Sequence, residues 1–393
     1  MATEMRLERL PPVVFSLILS KLTHGQMKPL MYTSKTINEM TKPVFYRRIK
    51  FSDDPRQYRR FLRAVVRDPK ILRMIQHLEA KNLDPQTFRL LLCLNLRNLE
   101  SATLRNGNWY SVFNTDDDPY LQDPTLTSLR LHNVRLKTFV REPMDPLPFE
   151  NLESLHLEIY GYSSKILQKL MQNVKSLKHF EFNHSMMDDI GRETPDFPRL
   201  LRPCRETIKV IDLWWKCRRS AFGNREMKFA NFTSLQYLSL PPTNLFGLYM
   251  YNDDINWLPK LREHIPPSLK VLFLQEIEIN EWTPTPEQEA NPNYEPHWKL
   301  LPCDHTMVKT FLTNYEEFFP SLCYIVWTSA VDTQPPWDLQ DMGMKVGITV
   351  DCMKNRGQCT PEADWLDGLE REPETEYSDT EEEEGSSLSE SQT

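Results

Sequence analysis

The 393-residue chain is 40% hydrophobic and 26% charged, a composition typical of a globular protein long enough for more than one domain. It has 30 prolines but only 11 glycines, and it contains neither a G-x-G-x-x-G nor a Walker A sequence, which excludes the common nucleotide-binding loops. The net charge of −8 resides in one segment, because Arg371–Thr393 holds nine acidic residues and one basic residue. We therefore expect no nucleic-acid partner recruited by net charge.

The cysteines and the apolar segments bear on the compartment. Seven cysteines are scattered along the chain without a C-x-x-C pair. The apolar stretch Val13–Leu22 is too short for a membrane span, and polar residues interrupt it, unlike a secretory segment. The sequence thus predicts reduced thiols, a cytoplasmic or nuclear location and no membrane partner.

The first fifty residues predict three short helices. Leu10-Pro11-Pro12 is expected to open the first, because proline suits the first turn of a helix. Its predicted apolar face holds Val14, Leu17, Ile18 and Leu22. We expect His24-Gly25 to end this helix.

The other two helices are predicted over Met27–Tyr32 and from Ser34, as the N-cap, to about Met40. Pro43 is expected to restart the chain before Val44. Three short helices make a marginal core, so such a unit usually needs a partner surface.

These residues resemble an F-box of the type found in many fungal F-box proteins. The similarity rests on Leu10-Pro11-Pro12-x-Val14-x-x-x-Ile18-x-x-x-Leu22, then Leu30-x-x-Thr33-Ser34-Lys35, then Phe45-Tyr46-Arg47-Arg48-Ile49. Thr33 and Ile37 depart from the usual pattern, which implies weaker adaptor binding.

The resemblance implies a binding mode. An F-box docks on an Skp-family adaptor and, through it, on a cullin-RING ubiquitin ligase, with apolar helix residues in a groove. The implied adaptor-facing residues are Leu10, Pro11, Val14, Ile18, Leu22 and Leu30. The alternative is that these side chains fill the core of an N-terminal cap on the segments that follow.

Residues 51–74 predict a helical linker. Its apolar face holds Tyr58, Phe61, Leu62 and Val65, and four arginines lie opposite, at positions 59, 60, 63 and 67.

A spacing, L-x-x-L-x-L, dominates residues 75–330. Its last two apolar positions lie two apart, so on a strand they face the same side. Most copies start 24 to 34 residues after the previous one, close to the period of leucine-rich repeats. The copies are Ile75-Leu78-Ala80, Leu99-Ala102-Leu104, Leu126-Leu129-Leu131, Leu152-Leu155-Leu157, Leu177-Phe180-Phe182, Ile208-Ile211-Leu213, Leu235-Leu238-Leu240, Leu269-Leu272-Leu274 and Leu322-Ile325-Trp327.

Helical patterns at residues 85–94 and 165–174 separate some of these copies. The alternation predicts an α/β fold, an irregular leucine-rich-repeat solenoid with a parallel sheet on its concave face and helices on its convex face. The repeats lack the usual Asn or Cys after the strand, and insertions are expected around residues 188–203, 241–267 and 281–302. A C-terminal cap over residues 331–360, with a strand at Val346–Val350, and a disordered acidic tail over residues 361–393 would complete the chain.

Candidate functional residues are few. Trp214 and Trp215 follow the Leu213 strand position, so one of them is expected to point outward and contact a target; filling a gap in the solenoid is an equal alternative. Trp257, Trp282 and Trp298 lie in the insertions. Cys303-x-His305 with His297 lacks the four ligands of a structural zinc site, and no catalytic motif is present. We expect no metal, no cofactor and no enzymatic activity.

Taken with the F-box resemblance, the repeats imply a substrate-recognition subunit of an Skp–cullin–F-box ubiquitin ligase. The F-box (residues 6–50) would bind the adaptor, and the repeats would bind an unknown target protein. The alternative is a non-degradative F-box and leucine-rich-repeat scaffold or assembly adaptor.

Overall fold

The structure is a computed structural model, and it describes most of the chain up to residue 354. The described residues belong to one compact unit, Met1–Lys354. They are residues 7, 10–51, 54–82, 96, 98–108, 126–136, 149–162, 164–184, 195–215, 226–241, 244–245, 257–275, 302–329 and 337–354. The predicted helix at 85–94, most of the predicted insertions and the acidic tail lie outside them.

Three helices open the fold: α1 (Pro12–Ser20), α2 (His24–Leu30) and α3 (Lys35–Arg47). Thr23 caps α2, since its hydroxyl accepts from the Gln26 N–H while the Gln26 side chain accepts from the Thr23 N–H. The expectation that His24-Gly25 ends the first helix was therefore wrong, because this pair begins the second.

The third helix is longer than predicted. Ser34 caps it as expected, its Oγ accepting from the Ile37 N–H at 3.2 Å. Pro43 does not restart the chain but lies within α3. The helix continues through it while its buried side presents Ile37 and Thr41.

The three helices share a small core. Phe15, Leu19, Met27 and Ile37 are buried together. Leu10, Leu22 and Leu30 pack partly against this group, with Met40, Val44 and Phe45. The core residues of α1 are Phe15 and Leu19, which the predicted apolar face of Val14, Leu17 and Ile18 did not include, because nearly every side of PVVFSLILS is apolar and spacing alone does not select one.

A strand and a helix join this unit to the sheet. β1 (Arg48–Phe51) was not foreseen, whereas α4 (Pro55–Arg67) lies in the predicted linker. Phe51 contacts Tyr58 and Phe61 of α4 edge to face, with ring centroids 5.8 and 5.2 Å apart. The α4 arginines are exposed, as predicted. A short 3-10 helix, Pro69–Arg73, then leads to the next strand.

The described residues form one eleven-stranded sheet in which every strand is parallel to its neighbours and the spatial order follows the sequence. The nine copies of the spacing supply β2 to β10. After β1, the strands are β2 (His77–Lys81), β3 (Ser101–Asn108), β4 (Ser128–Leu136), β5 (Ser154–Tyr162), β6 (His179–His184), β7 (Val210–Trp215), β8 (Tyr237–Leu240), β9 (Val271–Gln275), β10 (Tyr324–Ser329) and β11 (Thr349–Lys354).

The register aligns the copies. Their second apolar positions pair in one continuous row, from Leu78 opposite Ala102 to Leu272 opposite Ile325. Ile49 and Val350 extend that row to the two edge strands. All these side chains are buried in one continuous core. The predicted α/β class with a parallel sheet is thus confirmed.

Backbone hydrogen bonds secure the turn before each strand. Eight carbonyls, from Gln76 to Lys270, each accept two N–H groups from the start of the next strand. For example, the Glu153 carbonyl accepts from Lys178 and His179 at 2.8 and 3.0 Å. The entry to the strands is therefore regular although the usual Asn or Cys is missing.

Helices between the strands cover the core side of the sheet: α5 (Ser164–Met171), α6 (Phe197–Leu200), α7 (Trp257–His264), α8 (Pro302–Phe318) and α9 (Trp337–Val346). Two stretches expected to be insertions contain α6 and α7, whose Phe197 and Leu261 are buried in the common core. The sequence did not reveal them, because α6 has only four residues and α7 contains a proline, Pro259.

The last strand begins three residues later than the predicted one. α9 runs to Val346, and Gly347, with φ of 75°, turns the chain into β11. Gly343 packs against that strand so closely that a Cβ would lie 2.5 Å from the Ile348 carbonyl oxygen. Across the described ranges, every helix is too short or too polar to span a bilayer.

Candidate interaction surfaces

One face of α1 is apolar and exposed. Val13, Val14, Leu17 and Ile18 are 79, 42, 66 and 41% exposed. They lie on a nine-residue helix whose Phe15 and Leu19 fill the small core. An exposed apolar cluster of this kind marks an interaction site more often than a solvated face.

The predicted adaptor-facing residues fall into two groups. Pro11, Val14 and Ile18 are exposed. Leu10, Leu22 and Leu30 are half-buried against the three-helix core. Three of the six residues thus have the exposure that adaptor binding needs, and the other three pack as the alternative, a core role, expects.

Besides Leu7, three exposed apolar side chains of the N-terminal segment were missing from the predicted set. Val13 and Leu17 extend the exposed face of α1, and Tyr32, just after α2, is 79% exposed. Leu17 already shared the predicted helical face with Val14 and Ile18, so the spacing carried a signal for it. Val13 gave no such signal.

The face of the sheet opposite the common core is charged between β1 and β6. Here the side chains between the buried positions of each strand form ion pairs across the strands. Glu79 lies 3.6 Å from Lys50 and 3.5 Å from Arg105. Farther along, His132 Nδ1 lies 3.0 Å from Glu158 Oε2, and His156 Nδ1 contacts Glu181 Oε2.

The two histidines contact each other. The ring centroids of His132 and His156 are 4.6 Å apart. Burial lowers the pKa of His132, against the opposing effect of its hydrogen bond to Glu158.

The same face is buried between β7 and β10, where most of the side chains are apolar and the buried Asp212 and Ser239 lie among them. Val210, Tyr237, Val271, Phe273 and Val326 occupy the alternate positions, and each is at most 3% exposed. This region is not a continuation of the charged surface.

Trp214 and Trp215 lie at the junction of the two regions, both in β7. Trp214 alternates with Leu213, so it lies on the face opposite the common core, and it is half-buried. Register places it beside Asn183 of β6. Trp215 pairs with His184 in register, and its side chain lies outside the described residues. Trp257 begins α7, but its side chain, like Trp282 and Trp298, lies outside the described part as well.

The sequence gave no reason to expect a metal site. The side chains of Cys303 and His305, and residue His297, lie outside the described residues. Among the described residues, His132, His156 and Glu158 bring one ligand atom each to within 4.8 Å of the others. Neighbouring strands assemble this group from positions 24 and 26 residues apart, which no local motif reveals.

Comparison with known proteins did not assign the chain to a family: no family model matches it, and no curated protein does.

Proposed function

We propose that the chain is the substrate-recognition subunit of an Skp–cullin–F-box ubiquitin ligase. In this proposal, α1 to α3 form an F-box, and the eleven strands with their helices form a leucine-rich-repeat solenoid that holds a target protein. The location would be cytoplasmic or nuclear.

The exposed apolar face of α1 carries the proposal. A three-helix unit with only four buried core residues has little apolar area to stabilise it, yet it leaves Val13, Val14, Leu17 and Ile18 in water. Val14 and Ile18 are also residues of the F-box-like motif. An adaptor groove that receives this face would remove the exposed area and stabilise the unit.

The order of the segments is consistent with this role. The sheet begins directly after α3, since β1 starts at Arg48. The Lys42 ammonium contacts the Asp68 carboxylate at 3.0 Å and so ties α3 to the segment that follows α4. A target bound on the sheet would therefore be held at a restricted distance from the ligase.

The mechanism would be positioning rather than chemistry in this chain. A target and a ubiquitin-loaded enzyme held in one complex react at a high effective concentration. The charged face between β1 and β6 and the half-buried Trp214 are the described surfaces available to a target.

A pull-down with a purified Skp-type adaptor tests the proposal. The wild type is compared with the double variant Val14→Asp/Ile18→Asp. The matched control is Val66→Asp, because Val66 is 80% exposed on α4 and lies outside the F-box-like motif. Unfolding curves establish that all three proteins are folded.

We expect the wild type and Val66→Asp to bind, and the double variant to lose at least about tenfold in affinity, which corresponds to about 1.4 kcal/mol. Wild-type protein that does not bind, or a double variant that binds equally well, would contradict the F-box assignment. In a second pull-down with a cullin added, adaptor binding without cullin recruitment would favour the non-degradative scaffold.

A further inference from the structure

We propose that His132, His156 and Glu158 form a site for a zinc-like divalent cation on the charged face of the sheet. The inference is independent of the ligase function, since it rests only on β4, β5 and β6. β4 and β5 pair in register, with Leu131 opposite Leu157, so the residues that follow, His132 and Glu158, are neighbours.

The first argument is the identity and spacing of the ligands. Two imidazoles and one carboxylate are ligands that zinc accepts, with metal–ligand distances of about 2.0 to 2.2 Å. Tetrahedral geometry then places adjacent ligand atoms about 3.3 Å apart. His132 Nδ1 and Glu158 Oε2 are 3.0 Å apart and share a hydrogen bond, so a cation bound between them would replace the proton of that bond.

The second argument is an unsatisfied atom. His156 Nε2 is buried and has no hydrogen-bond partner. A buried polar atom without a partner is rare and calls for a physical explanation, such as an ion. A cation bound by His156 Nε2 would satisfy it.

The third argument is the carboxylate behind His156. Glu181 Oε2 contacts His156 Nδ1, so the proton of the neutral ring lies on Nδ1 and the lone pair on Nε2. A carboxylate that orients a histidine in this way is the usual outer partner in zinc sites. Glu158 and Glu181 supply two negative charges near the ion; the nearby Arg105 is paired with Glu79, and Arg130 lies beside His156 in register.

Closing the site needs a modest movement. The ligand atoms lie within 4.8 Å, so at least one side chain moves inward by up to about 1.5 Å to reach tetrahedral spacing. The side chains of His132 and Glu158 are 22 and 36% exposed, so a cation would enter from their side, and the buried His156 Nε2 must become accessible as the site closes. Three protein ligands leave the fourth position to water or to a group from a bound target.

Cobalt(II) is the probe, because it substitutes for zinc and absorbs visible light strongly in tetrahedral sites. The full chain is titrated with Co²⁺, then with Zn²⁺ as competitor. The test variants are His156→Asn and Glu158→Gln. The matched control is His77→Asn, since His77 lies on the same face but bonds to Ser101 at 2.8 Å and belongs to no such group.

We expect tetrahedral absorption in the wild type and in His77→Asn, its displacement by an equivalent of Zn²⁺, and a loss of at least tenfold in affinity in both test variants. Wild-type protein without tetrahedral absorption would overturn the proposal, and so would test variants that keep it in full.

A second measurement uses the wild type alone, so it does not depend on how the variants fold. Histidines are labelled with diethylpyrocarbonate with and without Zn²⁺, and the labelled peptides are quantified by mass spectrometry. We expect Zn²⁺ to protect His132 and His156 at least fivefold and to leave His77 unchanged. Equal labelling of all three with Zn²⁺ present would overturn the site.

Discussion

The three-helix unit and the sheet bury apolar side chains in different ways. The sheet places the corresponding residue of each strand in one row, so that its core extends from Ile49 to Val350. The three-helix unit closes its own core around Phe15, Leu19, Met27 and Ile37 and leaves an apolar face of α1 outside. A stack of strands buries its apolar faces against neighbouring strands, whereas a small helical unit needs a partner surface to bury the apolar face that remains exposed.

The largest expected effects come from truncating a buried leucine to alanine in each core. We expect Leu157→Ala to lower the free energy of unfolding of the sheet by about 3 kcal/mol, because Leu157 is fully buried. Leu19→Ala should cost a similar amount in the three-helix unit. Hydrogen exchange measured by mass spectrometry localises each effect.

Because the two cores are separate, hydrogen exchange can distinguish the two variants. Exchange in Leu19→Ala should rise in α1 to α3 and stay unchanged in β5 to β7. An equal rise in both regions would show that the small unit and the sheet unfold together.

Gly343→Ala tests the packing at the far end of the sheet. An added Cβ would lie 2.5 Å from the Ile348 carbonyl oxygen and 2.7 Å from Val350 Cγ2, so α9 or β11 must shift. We expect a loss of about 1 to 3 kcal/mol in the free energy of unfolding, by denaturant titration. Gly25→Ala is the control, because a Cβ there has only Thr23 Oγ1 nearby, at 3.9 Å. Equal losses would contradict the close approach.

The junction between the two regions should respond to pH. The hydrogen bond from Lys42 lowers the pKa of Asp68 below its ordinary value. The stabilisation is therefore present above the ordinary carboxyl pKa and is lost as the pH falls through the lower, folded value. We expect Asp68→Asn to speed exchange in α3 at pH 7, and this difference from the wild type to shrink below about pH 4.

The exposed pair Lys345–Asp341 on α9 provides the control for that experiment. Asp341→Asn should leave exchange in α3 unchanged at every pH. A pH-independent difference in Asp68→Asn would mean that the carboxylate charge has no part in the junction.

The smallest effect concerns two thiols. Burial raises the pKa of Cys204 to about 11, and its Sγ donates to the Val174 carbonyl at 3.0 Å. Cys323 is exposed. Iodoacetamide at pH 8 should alkylate Cys323 in the folded protein and leave Cys204 unmodified, because the thiolate is the reactive form. Peptide mass spectrometry reads both sites, and rapid labelling of Cys204 would contradict its burial.

The sequence predicted the sheet well because strand periodicity is short. The second and third apolar positions of each copy lie two residues apart, and a strand allows only one face for both. The edge strands β1 and β11 escaped prediction in part, because Arg48–Phe51 and Thr349–Lys354 do not carry the full spacing. α6 escaped because its four residues are too few to show a helical period, and α7 because Pro259 interrupts a stretch read as an insertion.

The candidate functional surfaces were harder to predict from the sequence. An α1 that is apolar on nearly every side gives no basis for choosing between core and exposed face, so Phe15 and Leu19 were missed as core residues. His132 and His156 lie on different strands, and only the register of β4 and β5 joins them. Aligning the copies by their register places Arg130, His156 and Glu181 at equivalent positions. Such an alignment would have drawn attention to the polar side chains on this face of the sheet.

The paired hydrogen bonds at the strand entries affect how well the chain tolerates changes in its side chains. The eight carbonyls that accept two N–H groups belong to Gln, Glu, Thr and Lys residues, so the joint between neighbouring units depends on main-chain atoms and not on any one side chain. Units joined in this way can be duplicated, lost or diverge in sequence while the connection is preserved.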